Sequence, residues 1–245
     1  MRTPRLYHPS PLAADNRVEL GASATKHLLT VLRLKPGAAL VLFDGSGAEF
    51  DARLEESGKK GAWVTVTVRR EPKVESPLSV TLAQGVSRGE RMDYTVQKAV
   101  ELGVAGVIPV LMERSVVKLD ADNIKRKREH WQSVAVSAAE QSGRVRVPPV
   151  QPPRSFGAFL DGHRSGGLKL LLDPLAQHAL KDLSPPKDNQ VLLLVGPEGG
   201  LSEVERKAAQ SAGFQGIKLG PRILRTETAA LVALSLLQSL WGDLR

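Results

Sequence analysis

Arginine, glutamate and glycine crowd one stretch of this 245-residue chain, from Val191 to Leu231, and they are the residues best suited to chemistry. The run VLLLVGPEGGLSEVERKAAQSAGFQGIKLGPRILRTETAAL holds two glycine-bearing bends. Its second bend carries Arg222, Arg225, Glu227 and two threonines beside a very apolar segment. In the first, Gly196, Gly199 and Gly200 let backbone approach a ligand or take positive φ, and Pro197 stiffens the turn. No Lys-Ser or Lys-Thr pair follows these glycines, and the turn does not match G-x-G-x-x-G. A ligand bound here is therefore held mostly by backbone groups.

The elements around these bends follow from pattern. Val191–Val195 is an unbroken apolar run, as in a parallel strand buried on both faces. Ser202 with Glu205 is a capping-box pair, and Gly213 stops the helix that it opens. A short strand over Gly216–Leu219 leads to the Gly220-Pro221 bend and a helix over Thr226–Trp241. Leu168–Leu172 is a further buried strand, closed by Asp173-Pro174. Loops that follow parallel strands share the carboxyl edge of their sheet, where open α/β folds bind ligands. The same punctuation also serves a purely structural α/β unit. The last helix is apolar almost all round, so it requires burial on more than one side, within the fold or in a homodimer.

Upstream, strands at Ser79–Ala83 and Val107–Val110 alternate with helices at Gly89–Leu102 and Asp122–Ser142. Met92, Val96, Ala99 and Val100 form the apolar stripe of the first helix, and Ile124, Trp131, Val134 and Ala138 that of the second. Lys125, Arg126 and Lys127 fit a solvated face, while Arg144 and Arg146 could complete a phosphate-facing one. Residues 1–72 are β-rich, with strands at Ala38–Phe43, Glu49–Leu54 and Ala62–Arg69 separated by DGSG and SGKKG turns. EPKVESPLS is the expected linker, so the expected domains are 1–72 and 73–245. One motif argues for another class: Gly85-Val86-Ser87-Arg88-Gly89 fits the G-x-S-x-G nucleophile elbow, with Asp173 and His178 following in the right order.

A net charge of +8 suits a polyanionic partner and equally suits mere solubility. The excess is spread, with twelve basic and nine acidic residues up to Ser76. Absence of cysteine excludes thiolate chemistry and fits a reducing compartment. Without a signal-type amino terminus or a membrane-length apolar run, a cytoplasmic protein is expected. Five scattered histidines lack ligand spacing, so no metal is expected.

GPEGGLSEVE followed by LGPRILRTETAAL resembles the carboxyl-terminal signature of the RsmE family, ribosomal RNA methyltransferases of the SPOUT superfamily. HLLTVLR from His27, QKAVELGV from Gln97, ERSV from Glu113 and AAEQSGR from Ala138 extend the resemblance over nearly the whole chain. It implies a PUA-like β-barrel ahead of a SPOUT α/β domain whose carboxyl-terminal trefoil knot holds S-adenosylmethionine. It also implies a homodimer through the knot region and last helix, acting on small-subunit (16S) ribosomal RNA or the 30S subunit. Donor-binding positions implied in this way are Leu172, Asp173, Gly196, Pro197, Gly199, Gly200, Leu219, Gly220, Ile223, Leu224 and Thr228. RNA-facing positions are Arg5, Tyr7, Arg33, Arg88, Arg144 and Arg222. The implied acceptor is N3 of a uridine, whose proton must leave before or during attack. Arg225 is the expected cation at the uracil oxygens, and Glu198 or Glu227 the proton acceptor or the group that orients it. Both glutamates also fit plain helix-start roles.

Overall fold

The computed structural model describes residues 3–58, 61–115, 120–163 and 166–244, so Lys59 and Lys60 of the SGKKG turn and Val116 of ERSV lie outside the described residues. The chain divides into two compact units, residues 1–75 with 139–147 and residues 76–138 with 148–245. The division differs from the cut at 72 that composition suggests, because a short later segment joins the first unit.

In the first unit, β1 (Arg5–Tyr7), β2 (Arg17–Leu20), β3 (Ala39–Phe43), β4 (Glu49–Gly58) and β5 (Gly61–Arg70) form a sheet in the order β1-β3-β4-β5-β2. Only β1 and β3 pair in parallel. Between β2 and β3, α1 (Ala22–Lys26) runs into a π-helical turn at His27–Val31. Ala62, Val64 and Val66 of β5 are buried at every second position and join Leu6, Leu28, Leu42 and Phe50 in one core. On the other face of β5, the Arg17 guanidinium lies 4.4 Å over the Trp63 ring.

The segment from 139 to 147 is fixed to this unit by charge. Arg5 pairs with Glu49 and donates to the carbonyls of Gly143 and Arg144. Arg144, only 7% exposed, binds Glu75 Oε2 at 2.6 Å, and the Val145 and Arg146 amides donate to the other oxygen of Glu75. Glu140 accepts from the Tyr7 amide.

The second unit is a seven-stranded, all-parallel sheet in the order β10-β12-β9-β11-β6-β7-β8. Along the chain its elements are β6 (Ser79–Gly85), α2 (Glu90–Glu101), β7 (Gly106–Leu111), α3 (Ala121–Ser142), β8 (Arg154–Ser155), α4 (Phe156–Asp161), β9 (Leu168–Leu172), β10 (His178–Ala179), β11 (Gln190–Val195), α5 (Glu203–Ser211), β12 (Gln215–Lys218) and α6 (Thr226–Trp241). The apolar runs of β6, β9 and β11 lie in the middle of the sheet, where neither face meets water. Met92, Val96, Ala99 and Val100 are buried as their spacing predicts. In α3 the buried line is Trp131, Ala135 and Ala138; Ile124 and Val134 are only half-buried, because Ala135 follows Trp131 by one full turn and Val134 falls short of it. Helix α6 buries Ala230, Ala233, Leu234 and Leu237 while Leu236 and Leu240 stay exposed. Among the described residues, no helix is long and apolar enough to cross a membrane.

Candidate functional site

Sheet order puts the carboxyl ends of β12, β9 and β11 side by side, with β6 next to β11. Leu172 is in register with Ile217, and Val195 with Gln84. The chain leaves this edge at Asp173, Gly196 and Leu219, and the three loops enclose a cavity of about 660 Å³. Predicted donor-site residues from Leu172 to Leu224 all line it, as do Glu198, Arg222, Arg225 and Glu227. Thr228 does not; it is exposed on α6, and the neighbour two places back, Thr226, lines the cavity instead. Residues two apart on a helix are turned by about 200°, so Thr228 is directed away from Thr226.

Tight backbone contacts fix the loops. A Cβ on Gly85 would stand 2.4 Å from the Pro197 nitrogen, and one on Gly196 would stand 2.8 Å from a Leu201 methyl. Gly200 has φ +67°, a conformation that glycine adopts without strain. Thr226 Oγ1 donates to the Gly196 carbonyl at 2.6 Å and accepts from Gln84 Nε2 at 2.8 Å. The ends of β6 and β11 and the start of α6 are thereby joined through one hydroxyl. Ser202 and Glu205 form the expected capping box at the start of α5.

Charges on the wall fall into two groups. Arg206 is bound to the buried Asp173 at 3.0 Å, and Asp173 also accepts from the Leu175 amide. Arg91 donates to Glu198 Oε1 at 2.9 Å, and the Arg88 amide reaches the same oxygen. Burial alone would raise the Glu198 carboxyl, but the hydrogen bonds from the Arg88 amide, its own amide and Arg91, with the Arg91 charge, hold it below its ordinary value. Arg222 and Arg225 are exposed, and their side chains have no hydrogen bond or ion pair among the described residues. Glu227 Oε2 is buried without a hydrogen-bond partner.

Sequence reasoning did not select Arg91, Arg114, Arg206 or Thr226 as site residues, although all four line the cavity. Arg91 and Arg206 stand at no diagnostic spacing; Arg114 stands inside ERSV and Thr226 inside LRTETA, and both were open to selection. Arg88 is exposed and does not line the cavity. In the first unit, Arg33 is exposed, Tyr7 is half-buried against Phe43, and Arg5 and Arg144 hold the internal contacts described above.

The nucleophile-elbow alternative does not assemble. Ser87 is 3% exposed and its hydroxyl donates to the Gly85 carbonyl, while Asp173 is held by Arg206 and His178 is exposed on β10. Among the described residues, no group of three or more His, Cys, Asp or Glu could hold a metal ion.

Comparison with known proteins agrees with this geometry. An RNA methyltransferase domain family matches residues 74–238, and an RNA methyltransferase PUA domain family matches residues 20–67. The chain is 33% identical to the ribosomal RNA small subunit methyltransferase E of Buchnera aphidicola over 243 residues, covering 99% of this chain and 98% of that protein. With the protein of the same name from Bacillus subtilis it shares 36% identity over 218 residues, 85% of this chain and 84% of the relative. Its fold superposes on the crystal structure of ribosomal RNA small subunit methyltransferase E from Neisseria gonorrhoeae, bound to S-adenosyl methionine, with a TM-score of 0.93, 41% identity and full coverage of both chains.

Proposed function

Since the chain belongs to the ribosomal RNA small subunit methyltransferase E family, we propose that its cavity presents the donor methyl group to N3 of a uridine in 16S ribosomal RNA. The chain is an S-adenosylmethionine-dependent ribosomal RNA methyltransferase with an α/β catalytic fold on a parallel sheet and a PUA-like amino-terminal region. The cavity suits the donor. Leu172, Leu219, Ile223 and Leu224 offer an apolar wall for the adenine, and the Gly196–Gly200 backbone offers polar groups without side chains in the way. When bound, the donor supplies a methyl group carried on a sulfonium sulfur.

The observation that carries this reading is an arginine whose side chain has no partner among the described residues, two positions from a glutamate with a buried oxygen that lacks a hydrogen bond, both lining one cavity. Removing the N3 proton of uridine leaves negative charge on the flanking oxygens, and Arg225 stabilises it. Glu227 takes the proton or orients Arg225. Glu198 suits neither role, because a carboxyl held below its ordinary value is a weak base near neutral pH and its oxygen is already engaged. Its part is to tie the start of α2 to the glycine loop.

The knot is part of the same proposal. Bonds from the start of α6 back to Gly196 and Gln84 support a carboxyl-terminal segment threaded against the earlier loops. Exposed Leu236 and Leu240 on α6, with Ile223 87% exposed beside the cavity, support a homodimer through this region. Of the arginines expected to face RNA, Arg33, Arg88 and Arg222 are exposed.

The test is calorimetric titration with S-adenosylmethionine, followed by methylation of unmethylated 16S RNA and of 30S subunits. Methylation at N3 removes a Watson–Crick donor, so a reverse-transcription stop locates the product. Saturable donor binding with a stop at one uridine supports the proposal; methylation detected only at ribose hydroxyls or another base overturns the N3 assignment.

A further inference from the structure

Glu205 does more than a capping-box glutamate requires. In a capping box one carboxylate oxygen accepts from the N-cap amide, and the other is left to solvent. Here Oε2 accepts from the Ser202 amide at 3.0 Å, but the residue is only 5% exposed, and Oε1 accepts from the amide of Glu113 at 2.8 Å. A buried carboxylate with both oxygens committed to backbone donors fixes two pieces of chain to each other. One is the start of α5, directly after the glycine loop. The other is the turn that follows β7.

That turn is tight in its own right. Ser115 donates its amide to the Met112 carbonyl at 3.0 Å, and its hydroxyl accepts from the Met112 amide at 3.1 Å. Arg114, at the centre of the turn, lines the cavity and donates Nη1 to the Gly199 carbonyl at 3.1 Å. The fit is close enough that a Cβ on Gly199 would lie 2.8 Å from the Arg114 Cβ. Glu205 thus anchors the residue next to Arg114, and Arg114 closes on the glycine loop.

We propose that Glu205 is a positioning residue for methyl transfer, holding the Glu113–Ser115 turn so that Arg114 forms one wall of the donor cavity. The proposal rests on the cavity being the donor site. A change in Glu205 then acts on donor affinity through Arg114, separately from its effect on the helix start.

The experiment is calorimetric titration of the full chain with S-adenosylmethionine for wild type, Ser202→Ala, Glu205→Ala, Glu205→Gln, Arg114→Ala and the Glu205→Ala/Arg114→Ala double variant, with thermal melts of each. Ser202→Ala removes only the capping half and is expected to lower the melting temperature while leaving the dissociation constant unchanged. Glu205→Ala and Arg114→Ala are each expected to weaken binding by about tenfold, the scale expected when a positioning contact is lost. Their double variant is expected to be no weaker than the worse single, since one acts through the other. Glu205→Gln keeps one carbonyl acceptor and falls between. Should Glu205→Ala fail to fold, Glu205→Gln and its double with Arg114→Ala carry the same cycle. Unchanged affinity in a folded Glu205 variant, or additive losses in the double, overturns the inference and leaves the donor site intact. Absence of binding by wild type overturns the donor-site reading on which the inference rests.

Discussion

Arg144 and Arg225 stand in motifs of similar look, yet their surroundings give them opposite uses. Arg144, in the first unit, is buried, paired with Glu75 and surrounded by backbone amides that use the same carboxylate. Arg225, at the start of α6 in the second unit, is exposed and on a cavity wall, and its side chain has no partner among the described residues. A buried guanidinium held by a carboxylate is part of the fold, because moving it toward a phosphate would strip that carboxylate of its charged partner. One left without a partner beside a cavity is free to meet charge that develops on a substrate. Glutamates divide in the same way: Glu75 and Glu205 have both carboxylate oxygens engaged and Glu198 has one oxygen held by two donors, whereas Glu227 keeps a buried oxygen without one.

The sharpest way to break this contrast is Arg144→Ala. Removing the buried partner of this half-buried pair is expected to cost about 2 kcal/mol in chemical denaturation, with RNA affinity per folded molecule unchanged. A stable variant with weakened RNA binding would return Arg144 to the substrate surface. Next in size, Arg225→Ala is expected to lower the rate of methyl transfer by about 100-fold while stability stays within about 0.5 kcal/mol. Equal losses of stability and rate would erase the distinction between the two arginines.

Smaller effects separate the glutamates. Glu198→Gln is expected to keep the turnover rate within about threefold and to leave the pH profile of turnover unmoved above pH 5. Because the folded protein holds this carboxyl below its ordinary value, its ionised form contributes stability above the usual carboxylate range, and that contribution is lost as pH falls through the depressed value. The variant should therefore differ from wild type in melting temperature at neutral pH and converge with it in acid. Glu140 has the opposite sign. Burial raises its carboxyl, with partial offset from the Tyr7 amide and from His27, so its contribution is present in acid and lost as pH rises through the raised value. Glu140→Gln is expected to raise the melting temperature slightly at neutral pH, with the gain shrinking in acid. A loss at neutral pH would show that the ionised carboxylate is needed there.

Much of this architecture was legible from residue order alone. Leu168–Leu172 and Thr226–Trp241 coincide with their elements, because a continuous apolar run and a long helical segment after a bend each admit few conformations. GPEGG and LRTETA marked two of the three cavity loops, since glycine at a strand end and a cap at a helix start are local requirements. Local periodicity failed where the packing partner decided, as in α3, where Ala135 and not Val134 faces inward.

What the sequence determined by itself was the kind of chemistry: a backbone-lined site, arginines and glutamates beside it, and no cysteine. Only the tertiary structure decided which of those charges are available. Arg91, Arg114 and Arg206 reach the cavity from α2, the turn after β7 and α5, far apart in the chain, and Glu198 and Glu205 are consumed by amides up to 110 residues away. Pairing of this kind depends on distance in space, to which spacing along the chain bears no fixed relation once parallel strands cross over one another.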